Sequence, residues 1–155
     1  AELTARGREQ ARAAGRWFCA MGVTGFDLVA TSPLIRARQT TDELLTAMHL
    51  SPALARPVPA LREQDPARET VAEARARILP ALEKLRGERW ATALVVAHSQ
   101  VDRIVLSEVL VGSDALIERL AQGNGCINVL EVGDDGRPWV LRALNACPPG
   151  GGHRY

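Results

Sequence analysis

Three short stretches of the sequence place polar chemistry at the ends of apolar runs. Phe26-Asp27-Leu28-Val29-Ala30-Thr31 is followed by Ser32-Pro33-Leu34-Ile35-Arg36. A helix that begins there offers free backbone N–H groups and a partial positive charge, which suits an anion. An arginine early in a helix opposes the dipole, so Arg36 asks for a reason. A phosphate is one, because the guanidinium is a planar, bidentate, permanently charged donor. The plain alternative is a surface arginine paired with a carboxylate such as Asp65. His98 closes the second run, Thr92-Ala-Leu-Val-Val-Ala97. An imidazole titrates near neutrality, so it can exchange protons or hold a phosphoryl oxygen. The plain alternative is a structural histidine capping the next helix. Glu63, in Leu61-Arg62-Glu63, follows a proline-rich stretch. It could reach the same edge as a general acid, or be an ordinary exposed glutamate.

The other candidates are weaker. Arg8, Arg12 and Arg16 recur every four residues and share a helix face, which reads as a solvated stripe. Asp102-Arg103 reads as a surface pair, Cys126 as a core residue on a strand, and Trp17, Trp90 and Trp139 as packing. Cys19, Cys126 and Cys147 are an odd, widely spaced set, which is no disulfide framework and no zinc ribbon. His49, His98 and His153 show no metal-ligand spacing. No glycine-rich phosphate loop is present.

Elements must bring these residues together. Thr4 is a suitable N-cap, and the Ala-, Arg- and Gln-rich stretch to residue 20 is helix-forming. The run 26–31 reads as a buried strand and 34–48 as a second helix. Residues 50–66 carry Pro52, Pro57, Pro59 and Pro66, which predicts extended loop with a short strand near 58–61. A third helix spans 70–85, with a kink or early stop at Pro80. Residues 92–97 read as a central parallel strand, apolar on both faces. Helices at 101–110 and 113–120 follow. Strands at 127–132 and 139–144 flank Gly133-Asp134-Asp135-Gly136 as a hairpin. Residues 1–146 read as one domain and 147–155 as a flexible tail. Alternation of helix and strand implies an α/β fold of three layers, α/β/α, with a mostly parallel sheet. In such sheets ligands bind beyond the carboxyl ends of the strands, where Ser32, Arg36 and His98 fall.

The composition is globular: 46% hydrophobic, 24% charged, nineteen basic residues against eighteen acidic, and a formal charge of +1. That balance argues against a nucleic-acid or membrane-surface partner. No apolar run approaches the ~18 residues of a spanning helix. With reduced thiols, a cytoplasmic location is expected. Lys84 is the only lysine.

Three blocks of this sequence resemble the histidine phosphatase superfamily, the phosphoglycerate mutase-like fold. Leu3-Thr4-Ala5-Arg6-Gly7-Arg8-Glu9-Gln10-Ala11 is similar to its Leu-Thr-x-x-Gly-x-x-Gln-Ala signature. Ser32-Pro33-Leu34-Ile35-Arg36-Ala37-Arg38-Gln39-Thr40 resembles its Ser-Pro-Leu-x-Arg-Ala-x-Gln-Thr block, the most specific of the three. Val95-Val96-Ala97-His98 resembles the strand that delivers the family's second histidine. Asn124 and the strand after it fit the usual ending.

The resemblance implies phosphomonoester hydrolysis through a phosphohistidine, with no metal or other cofactor. Arg36 would be a phosphate arginine and His98 the second histidine. Glu63 would be the proton donor, and Ser99 would join Arg36 and His98 around the phosphate. The expected partners are a small phosphorylated substrate and, in solution, a second copy of the chain. The family's nucleophile lies in an Arg-His-Gly motif on a central strand expected upstream of Leu3. Its absence would expose apolar strand edges. Where relatives often have His-Gly-Gly, this chain has His98-Ser99-Gln100. Where they often have Gly-x-Trp-Glu-Gly, it has Gln64-Asp65-Pro66-Ala67-Arg68-Glu69, which implies an open pocket suited to a broad or unusual substrate. A non-catalytic phosphate-binding relative and a member recruited to other biosynthetic chemistry are the alternative readings.

Overall fold

A computed structural model describes residues 1–133 and 137–149. Thr4 caps the first helix, α1 (Ala5–Ala20), its hydroxyl accepting from the Gly7 N–H at 3.1 Å. The strand β1 (Leu28–Thr31) leads into α2 (Ile35–Ala47). Small residues of α1, Ala11, Ala13, Ala14 and Gly15, are buried. A Cβ on Gly15 would sit 2.6 Å from the Leu44 carbonyl oxygen, so the two backbones meet where only a hydrogen fits.

Strand β2 (Ala55–Pro57) pairs parallel with β1, and β3 (Ala93–Val96) pairs parallel with its other edge, giving the order β2-β1-β3. β2 lies three residues earlier than the 58–61 expected from sequence. The reason is Pro59. Val58 still donates to the Thr31 carbonyl at 2.8 Å, but proline has no N–H to continue the ladder, and Pro59–Leu61 turns into a 3₁₀ helix instead.

A capping box between Thr70 and Glu73 starts α3 (Val71–Arg86). It runs through Pro80 without stopping, contrary to the expected break. Pro80 and Ala76 are both exposed, so the carbonyl that loses its partner faces water. α4 (Ser99–Val111) ends at Gly112 in the left-handed region. The helix expected at 113–120 is only the 3₁₀ turn Ile117–Arg119. Serine side chains take the backbone groups there: the Leu116 N–H donates to the Ser107 hydroxyl, which donates to the Ser113 carbonyl at 2.7 Å. β4 (Ile127–Glu131) and β5 (Val140–Ala146) form a separate antiparallel pair. Most of their expected turn at 133–136 and most of the expected tail, 150–155, lie outside the described residues.

Alternation along the central strands splits the core in two. Ala30, with Leu28 beside it, packs on Ile78 and Leu85 of α3 and on Val101 and Ile104 of α4. Val29 and Leu94 face Ala14, Leu44, Leu45, Met48 and Ile127. The sheet thus lies between α1/α2 and α3/α4, the three-layer α/β/α arrangement. β3 forms one edge of its sheet, and Val95 in its middle is 43% exposed.

Candidate active site

Ser32 and His98 leave β1 and β3 side by side. The Ser32 N–H donates to the Val96 carbonyl at 2.8 Å, which extends the ladder by one step and fixes both exits. Past it, the His98 Nε2 lies 2.7 Å from the Ser32 Oγ. Ser32 is fully buried and His98 is 8% exposed. The Ser32 hydroxyl also accepts from the Leu34 N–H at 3.3 Å, holding the turn into α2. The Thr41 hydroxyl, 3.0 Å from that of Thr31 and 2.8 Å from the Ala37 carbonyl, ties α2 back to β1.

His98 occupies the N-cap position of α4 but makes no side-chain cap. The ring turns to Ser32 instead, so the capping alternative is not what this histidine does. Burial, then the positive charges of Arg36 and Arg77, hold its pKa down at about 4. The imidazole is neutral near pH 7 and offers one N–H. Arg36, the second residue of α2, is half-buried. No carboxylate pairs with it among the described residues. Asp65, the alternative partner, sits 3.6 Å from Arg68 instead.

Arg77 was not singled out by its sequence position. Its guanidinium donates to Glu69 through Nε at 2.6 Å and Nη2 at 2.8 Å, and to the Ala60 carbonyl. Those bonds to Arg77, then others to Arg62, hold the Glu69 carboxyl at about 2. This pair anchors the loop that precedes Glu63 to α3.

Glu63 is half-buried and its Oε1 accepts from the Gln64 N–H at 3.0 Å. It lines a cleft of about 560 Å³ together with Leu34, Arg62, Asp65, Arg68, Glu69 and Glu73. The cleft touches the start of α2 through Leu34, while Arg36 and His98 lie outside its lining. The Glu63 charge acts on Asp102 in the first turn of α4. Burial, then that charge, raises the Asp102 carboxyl to about 7. Asp102 is therefore no surface partner of Arg103, which donates instead to the Leu120 carbonyl at 2.8 Å. Ser99 is exposed at the first position of α4, where its N–H has no intrahelical acceptor.

The structure thus brings Ser32, Arg36 and His98 to one sheet edge, with Glu63 in the adjoining cleft. Among the histidines, His49 is exposed at the far end of α2 and His153 lies outside the described residues. The Arg8/Arg12 stripe is not simply solvated. Arg8 Nη1 and Arg12 Nε grip Glu43 of α2 at 2.9 and 2.8 Å. Cys126 stands one residue before β4 and is only half-buried. Among the described residues, no group of three or more His, Cys, Asp or Glu could hold a metal ion. No helix there is long and apolar enough to cross a membrane.

Residues 1–67 and 58–146 match the family model of the histidine phosphatase superfamily, branch 1. The chain belongs to that superfamily. No curated protein matches the sequence. Among solved structures, the fold is similar to the alpha-ribazole phosphatase of Shigella flexneri. The TM-score is 0.76 at 21% identity, over 93% of this chain and 84% of that one. It is also similar to a mycobacterial glucosyl-3-phosphoglycerate phosphatase, with TM-score 0.77 at 22% identity, over 94% and 88%. A phosphoserine phosphatase of Entamoeba histolytica, in a mutant form bound to phosphoserine, gives TM-score 0.67 at 17% identity, over 93% and 84%.

Proposed function

We propose that this superfamily member is a phosphatase, a metal-independent phosphomonoester hydrolase that works through a phosphohistidine on a small phosphorylated substrate. The observation that carries the reading is Arg36, a half-buried cation with no carboxylate partner among the described residues, whose charge bears on a neutral, buried His98. A site that keeps both groups free of counter-charge is prepared for an anion. The phosphatases named above share the fold.

In this reading the phosphoryl oxygens sit between the Arg36 guanidinium, the His98 ring and the free N–H groups at the start of α4, Ser99 included. A histidine on a strand preceding Leu3 attacks phosphorus. The N–P bond forms, the P–O bond to the alcohol breaks, and Glu63 gives its proton to the departing oxygen. Water then attacks phosphorus, Glu63 takes back a proton, and the N–P bond breaks to release phosphate. The free edge of β3, with Val95 exposed, is where we seat that strand. Arg36 and His98 stabilise charge that grows on the equatorial oxygens.

The test is p-nitrophenyl phosphate hydrolysis by the full-length protein and by Arg36→Ala and His98→Ala. Each substitution is expected to lower kcat/KM by ~10- to 1,000-fold, the scale for removing one charge-stabilising group. Acid quenching should trap an acid-labile, base-stable protein phosphate. Full activity in both variants would overturn the site. Phosphate binding without turnover in the parent protein would replace the hydrolase with a binding module.

A further inference from the structure

Two cysteines, Cys126 and Cys147, flank the open end of the β4–β5 hairpin. The register pairs Ile127 with Ala146 at the open end of the hairpin. Cys126 and Cys147 each stand one residue beyond that pair, so an antiparallel course continued by one step sets them opposite each other. Directly opposed residues of an antiparallel pair have Cα atoms about 4.5–5.5 Å apart. That lies within the range of roughly 4.4–6.8 Å that a disulfide spans. The charge of a Cys147 thiolate also bears on Cys126. Both are thiols here, each with a weak contact it can surrender. The Cys126 Sγ lies 3.3 Å from Gln122 Oε1, and the Cys147 Sγ lies 3.3 Å from the Asn145 carbonyl.

We propose that Cys126 and Cys147 are a redox-active dithiol that closes to a disulfide across the base of the β4–β5 hairpin, with a low-molecular-weight disulfide such as glutathione disulfide as oxidant. Cys147 is exposed and meets the oxidant first; Cys126 is half-buried and follows. The Cys147 thiolate attacks one sulfur of glutathione disulfide. A mixed disulfide forms and one glutathione thiolate leaves. Cys126 then attacks the Cys147 sulfur and expels the second glutathione. The two protein thiols are oxidised, the glutathione disulfide is reduced to two thiols, and the two protons pass to the departing thiolates. Burial, then the charge of Asp102, pushes the Cys126 thiol up to about 12, so its attack is the slow step. Cys19 lies exposed on α1 and serves as the internal control.

The site does not depend on the phosphatase reading, and its test reads no activity. The reduced full-length protein is equilibrated with defined mixtures of reduced and oxidised glutathione, quenched in acid, alkylated and mapped by peptide mass. The expected product is a Cys126–Cys147 linked peptide lacking two hydrogens, reversed by reductant. Cys126→Ser should stop at a glutathione adduct on Cys147. Cys147→Ser should leave Cys126 open to alkylation. Cross-linking should raise the melting temperature by on the order of 10 °C, since it closes a loop of about twenty residues. Three alkylatable thiols at high oxidised glutathione would overturn the proposal. So would a glutathione adduct on Cys147 as the final state of the parent protein, or a link through Cys19 or between two copies.

Discussion

His98 and Asp102 are four residues apart on α4, and the fold pushes their acidities in opposite directions. His98 falls from 6.5 to about 4, so the unfolded chain takes up its proton first as pH drops. Its contribution to stability is present above pH 6.5 and is lost as pH falls towards 4. Asp102 rises from 3.8 to about 7, so its contribution is present below pH 3.8 and is lost as pH rises towards 7. The two slopes oppose one another between pH 4 and 6.5. Thermal melts of the parent protein should therefore be nearly flat across that window. Asp102→Asn should make the melting temperature climb with pH there, and His98→Gln should make it fall. Parallel profiles in all three proteins would refute the assignment. Glu69 acts lower on the scale. Its carboxyl at about 2 gives stability that is lost between pH 4.5 and 2. Arg77→Ala leaves the Glu69 carboxylate, only 10% exposed, with Arg62 as its one remaining cation, and is expected to cost about 1–2 kcal/mol in urea unfolding at pH 7. Ser32, Arg36 and His98 were legible because each ends an apolar run or begins a helix, both local signals. Arg77 and Asp102 were not. Their importance arises from charges brought near by the packing of α3 and α4, and no spacing along the chain encodes that.

Helices and strands were legible where a cap or an apolar run marks them, as at Thr4, Thr70 and 92–97. They were misread where side chains compete for backbone groups. Ser107 and Ser113 dissolve the helix expected at 113–120, and Pro59 shifts the expected strand forward. α1 and α2 meet at Gly15, where a Cβ would lie 2.6 Å from the Leu44 carbonyl oxygen. Gly15→Val should destabilise the protein by about 2–3 kcal/mol through forced separation of the helices. An unchanged denaturation midpoint would show that the two helices can part freely. Pro80 offers the opposite change. It is exposed in the interior of a helix, so Pro80→Ala restores an N–H for the Ala76 carbonyl. It should stabilise the protein by about 1 kcal/mol or more.

At the scale of the molecule, three parallel strands and an antiparallel pair share one apolar cluster, and among the described residues no ladder joins them. Leu94 of β3 and Ile127 of β4 lie in the same core cluster, while among the described residues β3 pairs only with β1. If the strand proposed for this place is seated there, the outward amides of β3 exchange with deuterium as slowly in the full-length protein as those of β1. They exchange fast in a polypeptide of residues 1–155 alone. Fast exchange in both would put the nucleophile elsewhere. The three-layer architecture was legible from the alternation of elements, but the separation of the two sheets was not, because strand order leaves no periodic trace in a sequence.

The cluster beneath α1 joins Ala14 to Ile127 and, at its margin, to Val129 and Ala146. The first helix described is therefore completed by residues made more than a hundred positions later. During synthesis at ~5–20 residues per second, α1 waits on the order of ten seconds for its partners to leave the ribosome. Its apolar stripe is open to solvent and to chaperones throughout that interval. A ribosome stalled before β5 would hold a chain with α1 and the parallel strands but without the hairpin that closes the core over them.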